Sequence, residues 1–411
     1  MNKILKLSVH ELVDFLLRKG DIDNRIYNKA TMAEGTRIHA IYQSKQADNY
    51  LSEHVLGETF EVDGFSVTLE GRADGIILKD NGAIIDEIKS TIDDLNDFHN
   101  DQEEWHLGQA QCYALMYAHE KCLSEIGIRL TYISQTTNDK RIFNYKFSTY
   151  ELEDYVINLI HRYLNFYRYI FERTQIRNET SKELKFPYTN FRLNQKQLSK
   201  YTYSVAKNGG ILFSEAPTGI GKTISTLFPY VKSFALGINE KIFYLTAKNS
   251  GKESAFKAVE DMKRNGLIAS EILITAKDKI CFNPGCACNP DECPFAKDYY
   301  TKVGDIITNA LPDITTFDVD TIVSLAVNNN ICPFELQLDL SLFMDIIICD
   351  YNYMYHPISY MKRYFDEDSS HYLALVDESH NLVDRSRDMY SASISYAKFL
   401  KARKSLRHSK V

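Results

Sequence analysis

The run Ala216-Pro217-Thr218-Gly219-Ile220-Gly221-Lys222-Thr223 constrains this chain more than any other stretch of similar length. The apolar tetrad Gly210-Ile211-Leu212-Phe213 precedes it, and Thr223-Ile224-Ser225-Thr226-Leu227-Phe228 follows with a helical pattern. The order predicts a short buried strand, a sharp loop and a helix start. In that arrangement loop N–H groups converge and the helix dipole turns its positive end toward them, so the loop suits a phosphate. Gly219 and Gly221 permit a backbone approach that a Cβ would obstruct. Lys222 is then placed to reach the β- and γ-phosphates of a nucleotide, and the Thr223 hydroxyl to bind Mg²⁺. The strict pattern opens on glycine, whereas this loop opens on Ala216.

A second element lies downstream. Tyr372-Leu373-Ala374-Leu375-Val376 reads as a strand of a parallel sheet, buried on both faces, and ends in Asp377-Glu378-Ser379-His380. Carboxylates at the C-terminal edge of such a sheet lie where open α/β folds bind ligands. Asp377 suits the Mg²⁺ that bridges phosphates, and Glu378 suits orientation and deprotonation of an attacking water. An acidic pair after a strand also describes a solvated turn; the upstream loop is what favours hydrolysis. Asp366-Glu367-Asp368 and His371 read as an exposed loop ahead of this strand.

Of the eight cysteines, five crowd one region between loop and acidic box: Cys281, Cys286, Cys288, Cys293 and Cys332; Cys349 lies further along. No signal peptide is recognised, so a reducing, cytoplasmic setting is expected and a disulfide framework is not. Clustered thiols then point to metal or redox chemistry. The segment 281–294 is rich in turn formers, which lets thiolates converge from a loop. Cys293 and Cys332 each precede a proline, a pairing seen in iron–sulfur ligation. No CxxC knuckle is present, against a zinc finger, although zinc stays open as the alternative. Cys349 falls in a predicted strand and reads as core.

In this order of elements the sequence resembles the XPD/DinG family of superfamily 2 DNA helicases, in which a [4Fe–4S] domain is inserted between phosphate loop and acidic box. Phe186-Pro187-Tyr188, with Arg192 and Gln195, resembles the adenine-side motif before the loop. Lys241-Ile242-Phe243-Tyr244-Leu245-Thr246-Ala247-Lys248 is similar to the strand and loop that contact the DNA backbone, and 345–353 to the strand before the acidic box. Ser379 stands where alanine is usual. The resemblance implies a RecA-like parallel-sheet domain over 185–411 with an iron–sulfur insertion at about 277–335. It implies ATP and Mg²⁺, catalytic roles for Lys222, Asp377, Glu378 and His380, and single-stranded or forked DNA as partner. It also implies Cys281, Cys288, Cys293 and Cys332 as cluster ligands, with Cys286 the alternative to one of them.

The first 180 residues carry another constellation. Ser8-Val9-His10-Glu11 reads as a capping box opening a helix. Gly35-Thr36-Arg37-Ile38-His39 follows. Val67-Thr68-Leu69 and Ile76-Ile77-Leu78 read as a hairpin around an Asp74 turn, and Ile84-Ile85-Asp86-Glu87-Ile88-Lys89 as a third strand. A period of two puts Glu87 and Lys89 on one face. Such a set can bind a divalent ion and position a water for phosphodiester hydrolysis, although alternating charges also describe a solvated strand face. The pattern resembles PD-(D/E)XK nucleases of the RecB type. That resemblance implies His39, Asp74 and Glu87 as ligands of Mg²⁺ or Mn²⁺, Lys89 as the residue that orients the water, and Gln109 and Tyr113 as a helical Gln-x-x-x-Tyr motif. A degenerate fold that only binds DNA stays open beside it.

With 44% hydrophobic and 25% charged residues the chain has ample core, and no apolar run approaches a membrane span of ~20 residues. A net charge of −7 gives no overall nucleic-acid signature, so a DNA path is expected as a local strip including Lys248 and Lys252. A linker is expected over 178–185. The helicase resemblance implies a second RecA-like domain supplying an arginine finger, and no Gln-x-x-Gly-Arg-x-x-Arg box occurs here. The expectation is an ATP-binding portion of a repair or recombination helicase that does not unwind DNA alone, with a second chain as an implied partner. The competing expectations are a metal-dependent single-strand nuclease and a non-catalytic DNA-binding module.

Overall fold

The computed structural model describes residues 3–25, 29–80, 82–217, 219–357, 359, 361–365 and 370–408; side chains at 29–31, 363, 407 and 408 are not described. Thr218 and the stretch Asp366-Glu367-Asp368 fall outside the described residues. The chain divides into two compact units. One comprises Met1–Glu172, Ala276–Ile314 and Asp320–Leu336; the other Arg173–Thr275, Thr315–Val319 and Gln337–Val411.

The N-terminal elements are β1 (Lys3–Ser8), α1 (Val9–Leu17), α2 (Lys29–Gln43), β2 (Tyr50–Val62), β3 (Phe65–Lys79), β4 (Gly82–Thr91), α3 (Leu95–Glu120), β5 (Glu125–Ser134), β6 (Lys140–Ser148) and α4 (Thr149–Glu183). Next come α5 (Gln195–Asn208), α6 (Lys222–Ser233), β7 (Lys241–Leu245), α7 (Asn249–Arg264) and β8 (Glu271–Leu273). The cysteine-rich stretch holds α8 (Lys277–Ile280) and α9 (Tyr299–Ala310), followed by β9 (Thr316–Phe317), α10 (Val319–Asn329) and α11 (Pro333–Ser341). The chain continues through β10 (Ile346–Cys349), α12 (Asn352–Tyr355), α13 (Lys362–Phe365), β11 (Tyr372–Val376), α14 (Leu382–Met389) and α15 (Tyr396–His408). Among the described residues no helix is long and apolar enough to cross a membrane.

In the first unit β3 organises a six-stranded mixed sheet. One edge pairs antiparallel with β2; the other is shared by β1, parallel, and β4, antiparallel. β4 pairs in parallel with β5, and β5 antiparallel with β6. Phe65, Val67 and Leu69 alternate into the core at 0% exposure, each contributing about 1.5–3 kcal/mol by burial. The capping box forms: Ser8 Oγ accepts from Glu11 N, and Glu11 Oε2 from Ser8 N.

The expected hairpin around Asp74 does not form; 65–79 is one continuous strand with Asp74 in its middle. Its glycines are there for close approach rather than for a turn. A Cβ on Gly71 would stand 2.8 Å from Tyr113 Cε1, and one on Gly75 only 1.8 Å from the Tyr50 hydroxyl. The true hairpin partner is β2, whose polar-rich sequence carried little strand signal.

The second unit holds a five-stranded, all-parallel sheet in the order β11-β7-β10-β8-β9. Its central strands β7 and β10 are apolar on both faces, with Ile242, Phe243 and Ile346 to Cys349 at 0% exposure. Cys349 is core, as expected. Two expectations need correction. β11 is an edge strand, half-exposed rather than buried on both faces, because it pairs only with β7 among the described strands. The tetrad Gly210-Ile211-Leu212-Phe213 is not a buried strand: it has no ladder partner among the described residues, and Ile211 and Phe213 are 83% and 86% exposed.

The helix after the loop forms as expected and contains Pro229, which cannot donate to the Ser225 carbonyl. The buried Ser199 hydroxyl of α5 donates to that carbonyl at 2.9 Å instead, satisfying the freed acceptor. The expected linker over 178–185 is largely helix, since α4 continues to Glu183. Arg177 fastens this stretch, donating to Asp345 Oδ1 at 2.8 Å and to Glu240 O at 2.9 Å.

Candidate nucleotide and metal sites

In the second unit, residues from α5, α6, β7, α7 and β11 converge at the C-terminal edge of the parallel sheet. Gly219 and Gly221 take φ of +80° and +81°, and α6 opens directly at Lys222. A Cβ on Gly221 would lie 2.4 Å from Gln195 Nε2. Gln195 Oε1 accepts from Arg192 N at 2.7 Å, and the Arg192 guanidinium donates to Gly219 O. Of the two residues expected on the adenine side, Arg192 grips the loop backbone directly, while Gln195 packs against Gly221 and holds the Arg192 main chain. Ala216 and Ile220 are half-buried and Pro217 exposed.

Lys222 Nζ meets Glu378 Oε1 at 2.9 Å, joining loop and acidic box across 156 residues. That bond holds the Glu378 carboxyl below its ordinary value. Glu378 itself has φ +52°, a left-handed conformation costing on the order of 1–2 kcal/mol for a non-glycine residue. Burial instead pushes the Asp377 carboxyl up. The Tyr351 hydroxyl donates to Asp377 O, and the Tyr244 hydroxyl faces both Thr223 and the Asp377 carboxylate. Gly251, in the first turn of α7, lets that helix approach: its Cβ would meet Thr246 Oγ1 at 2.3 Å and Asp377 Oδ2 at 3.2 Å. His380 is peripheral, with Nδ1 3.6 Å from Glu378 Oε2 and a side chain 72% exposed. Of the expected basic strip, Lys252 donates to Ile274 O and Lys248 precedes α7. The Thr223 hydroxyl and Asp377 carboxylate are hard oxygen donors of the kind Mg²⁺ takes. Tyr244, Tyr351 and Gly251 escaped sequence reasoning, because only the fold brings them to Asp377.

In the first unit, Asp74 of β3, Glu87 and Lys89 of β4 and Gln109 of α3 come together. Glu87 is 1% exposed, which excludes a solvated strand face. Lys89 Nζ stands 2.7 Å from Glu87 Oε1, and among the described residues no other donor engages either Glu87 oxygen. Lys89 does donate to Gln109 Oε1 at 3.1 Å. Burial pushes Glu87 up to about 8. Burial also opposes the Lys89 ammonium, yet the charges of Glu87 and Asp74 outweigh it and raise that group. Asp74 Oδ2 accepts from Ile88 N at 2.8 Å. His39, on α2, is held below the ordinary imidazole value by burial, against the pull of Asp74. His10, noted in the sequence only within a capping box, lies 3.4 Å from Gln109 Nε2 and is lowered by burial and then by Lys89. Tyr113 is fully buried against Gly71.

Among the described residues no three His, Cys, Asp or Glu side chains converge closely enough to hold an ion. His39, Asp74 and Glu87 are therefore neighbours rather than a formed ligand set: Asp74 is engaged by Ile88 N and Glu87 faces Lys89. On the opposite face of β4, Asp86 is also fully buried. It is satisfied by Arg129 at 2.8 and 2.6 Å, Thr131 at 2.6 Å and Tyr50 at 2.9 Å, so it braces the sheet rather than awaiting a ligand.

The expected cluster cysteines all lie in the first unit. Cys293 is buried, Cys281, Cys288 and Cys332 are half-buried, and Cys286 is exposed. Cys288 Sγ accepts from Lys277 Nζ at 2.8 Å, and burial pushes Cys332 up to about 11. No three of these thiols stand as a group able to hold a metal ion, although Lys277 faces both Cys288 and Cys332.

Residues 253–399 match the DEAD_2 family model. The chain is 28% identical over 90 residues to the Fanconi anemia group J protein homolog of Gallus gallus, covering 22% of this chain and 7% of that protein. It is 28% identical over 101 residues to the Regulator of telomere elongation helicase 1 homolog of Caenorhabditis briggsae, covering 24% and 10%. The match thus spans a tenth or less of either relative's length. A solved structure described as "XPD_Helicase" aligns with a TM-score of 0.34 at 18% identity, over 47% of this chain and 34% of that one. Each of these matches covers less than half of the chain.

Proposed function

We propose that this chain is the ATP-binding portion of a DNA helicase of the XPD/DinG type, with a RecA-like domain over 185–411, which when complete couples ATP hydrolysis to movement along single-stranded DNA. The observation that carries the reading is the 2.9 Å contact between Lys222 and Glu378, across a loop whose two glycines both adopt positive φ. Without nucleotide, Glu378 serves as a surrogate anion for Lys222. A γ-phosphate competes for the same ammonium and frees Glu378 to orient the attacking water. Arg192 and Gln195 hold the loop backbone in its phosphate-ready form. Thr223 and Asp377 would hold Mg²⁺, which supplies charge neutralisation at the phosphates. The test is ATP turnover with and without single-stranded DNA, using Lys222→Ala as control. ATP bound without turnover, with binding lost in Lys222→Ala, supports the reading; ATP affinity unchanged in Lys222→Ala sinks the loop assignment, and DNA-stimulated turnover contradicts the reading of this chain as a portion of the motor.

A second activity belongs to the same proposal: a metal-dependent, PD-(D/E)XK-like site on the N-terminal sheet that cuts DNA. The buried Glu87 carboxylate, engaged by Lys89 alone among the described residues, favours it. Asp74 and Glu87, joined by His39, would hold Mg²⁺ or Mn²⁺, and Lys89, steadied by Gln109, would orient the water. Single-strand cleavage that needs Mn²⁺ and vanishes in Glu87→Ala supports it; tight DNA binding without cleavage favours a binding module instead. A [4Fe–4S] cluster on Cys281, Cys288, Cys293 and Cys332, or on Cys286 in place of one, is proposed from the sequence resemblance alone. Visible absorbance and metal analysis of anaerobically purified protein distinguish iron from zinc.

A further inference from the structure

No Asp or Glu occurs over 389–411, where Lys398, Lys401, Arg403, Lys404, Arg407 and Lys410 fall. The overall charge of −7 thus divides into +6 on this stretch and −13 over residues 1–388. Charge segregated in this way marks contact with a polyanion rather than general solvation of a surface.

In the structure α15 gathers four of these cations, Lys398, Lys401, Arg403 and Lys404, and all four are exposed. Lys398, Lys401 and Lys404 recur every three residues, so each stands about 4.5 Å further along the helix axis than the one before. Tyr396, Phe399 and Arg403 share another face at spacings of three and four. Tyr390, Tyr396 and Phe399 are 72%, 77% and 53% exposed, and over 391–406 only Leu400 is half-buried. Exposed rings interleaved with cations suit a single strand: the cations follow its phosphates, and the rings stack on bases that a duplex keeps stacked on one another. A membrane-surface helix instead keeps its apolar face free of charge, whereas Arg403 stands one turn from both Phe399 and Leu406.

We propose that α15 is a single-stranded DNA contact in its own right, separate from the strip at Lys248 and Lys252. Lys398, Lys401 and Lys404 take phosphates, and Tyr396 and Phe399 stack on bases. The inference rests on the DNA partner of the proposed function and on neither of its catalytic sites. Because α15 is exposed along its length and alanine is the strongest helix former, alanine substitutions there remove contacts without removing the helix.

The test follows a fluorescein-labelled oligothymidylate by anisotropy against the full chain at a series of salt concentrations, with Mg-ATP binding measured in parallel. Lys398→Ala/Lys401→Ala/Lys404→Ala is expected to weaken DNA binding about tenfold and to reduce the salt slope by about 2, at about 0.7 per single-strand phosphate contact. Tyr396→Ala/Phe399→Ala is expected to weaken it about tenfold with the slope unchanged. Lys196→Ala/Lys200→Ala/Lys207→Ala removes the same charge from exposed positions of α5 and is expected to behave as wild type. An equal loss in that control shows an effect of net charge alone and overturns the proposal. So does wild-type affinity in both α15 variants, or wild-type chain that prefers phosphatidylserine vesicles to the oligonucleotide. Wild type that binds no oligonucleotide removes the DNA partner itself, while the parallel Mg-ATP titration reports the nucleotide reading separately.

Discussion

Glu87 and Glu378 each face a lysine at under 3 Å, Lys89 at 2.7 Å and Lys222 at 2.9 Å. Their carboxyls nevertheless shift in opposite directions. Glu87 lies mid-strand between β3 and β5 at 1% exposure, and burial outweighs its lysine. Glu378 lies just past an edge strand with 30% of its side chain exposed, and the lysine wins. The pairings differ in kind as well. A two-residue strand period fixes Glu87 beside Lys89, whereas Lys222 and Glu378 meet only where a loop and a sheet edge are brought together. The first centre is rigid and partly desolvated; the second is a contact that a ligand can displace.

That contrast can be broken at several points. The largest effect is expected from Glu378→Gln, in which ATP turnover by the completed motor falls on the order of 100-fold or more, as for loss of a general base. ATP affinity should hold or rise a few-fold, because the nucleotide no longer displaces a carboxylate from Lys222; a matched loss of affinity would show that Glu378 binds rather than activates. Stability should separate the two sets of glycines. Gly71→Ala drives a Cβ against the Tyr113 ring and is expected to cost about 1–3 kcal/mol in urea unfolding. Gly219→Ala meets nothing within 4 Å, and its positive φ alone should cost about 1 kcal/mol. A reversed order would mean that the phosphate loop, not the mixed sheet, is the tightly packed region.

The pH response offers a smaller and more pointed comparison. Glu87 rises from 4.5 to about 8 on folding, so the folded chain keeps a proton that the unfolded chain releases. Its contribution to stability is full below 4.5 and is lost as pH rises toward about 8. Glu378 has the opposite sign: its contribution is present above the unfolded value and lost as pH falls through the lowered one. Glu87→Gln should therefore flatten the loss between pH 4.5 and about 8, and Glu378→Gln the loss at acid pH. Mn²⁺ binding, which expels the Glu87 proton, should tighten by up to about tenfold per pH unit below that value. Least of all, Phe213→Ser should change stability by less than about 0.5 kcal/mol, whereas Phe243→Ala in the buried β7 should cost about 3–5 kcal/mol.

The elements whose pattern is set locally were legible in the sequence. The Ser8 capping box, the start of α6 after the glycine loop, strands β4, β7 and β10, and the Glu87–Lys89 face all follow from spacing and period. What failed depended on neighbours. The stretch around Asp74 read as a turn because sequence does not show the Tyr113 ring and Tyr50 hydroxyl that need the space at Gly71 and Gly75. Ile211 and Phe213 read as core because sequence does not show which strand edge would pair with them. Of the candidate sites, Lys222, Asp377, Glu378 and Glu87 were legible as residue types at the right spacing. Tyr244, Tyr351, Gly251 and His10 were not, because each reaches its site only through tertiary packing.

Parallel titrations of Mg-ATP and Mn²⁺ against wild type, Lys222→Ala and Glu87→Ala test most directly whether the chain holds two separate centres. Lys222→Ala should lose nucleotide binding and keep Mn²⁺ binding, and Glu87→Ala should do the reverse. Nucleotide affinity unchanged in Lys222→Ala, or both ligands lost together in either variant, would contradict the two-centre reading.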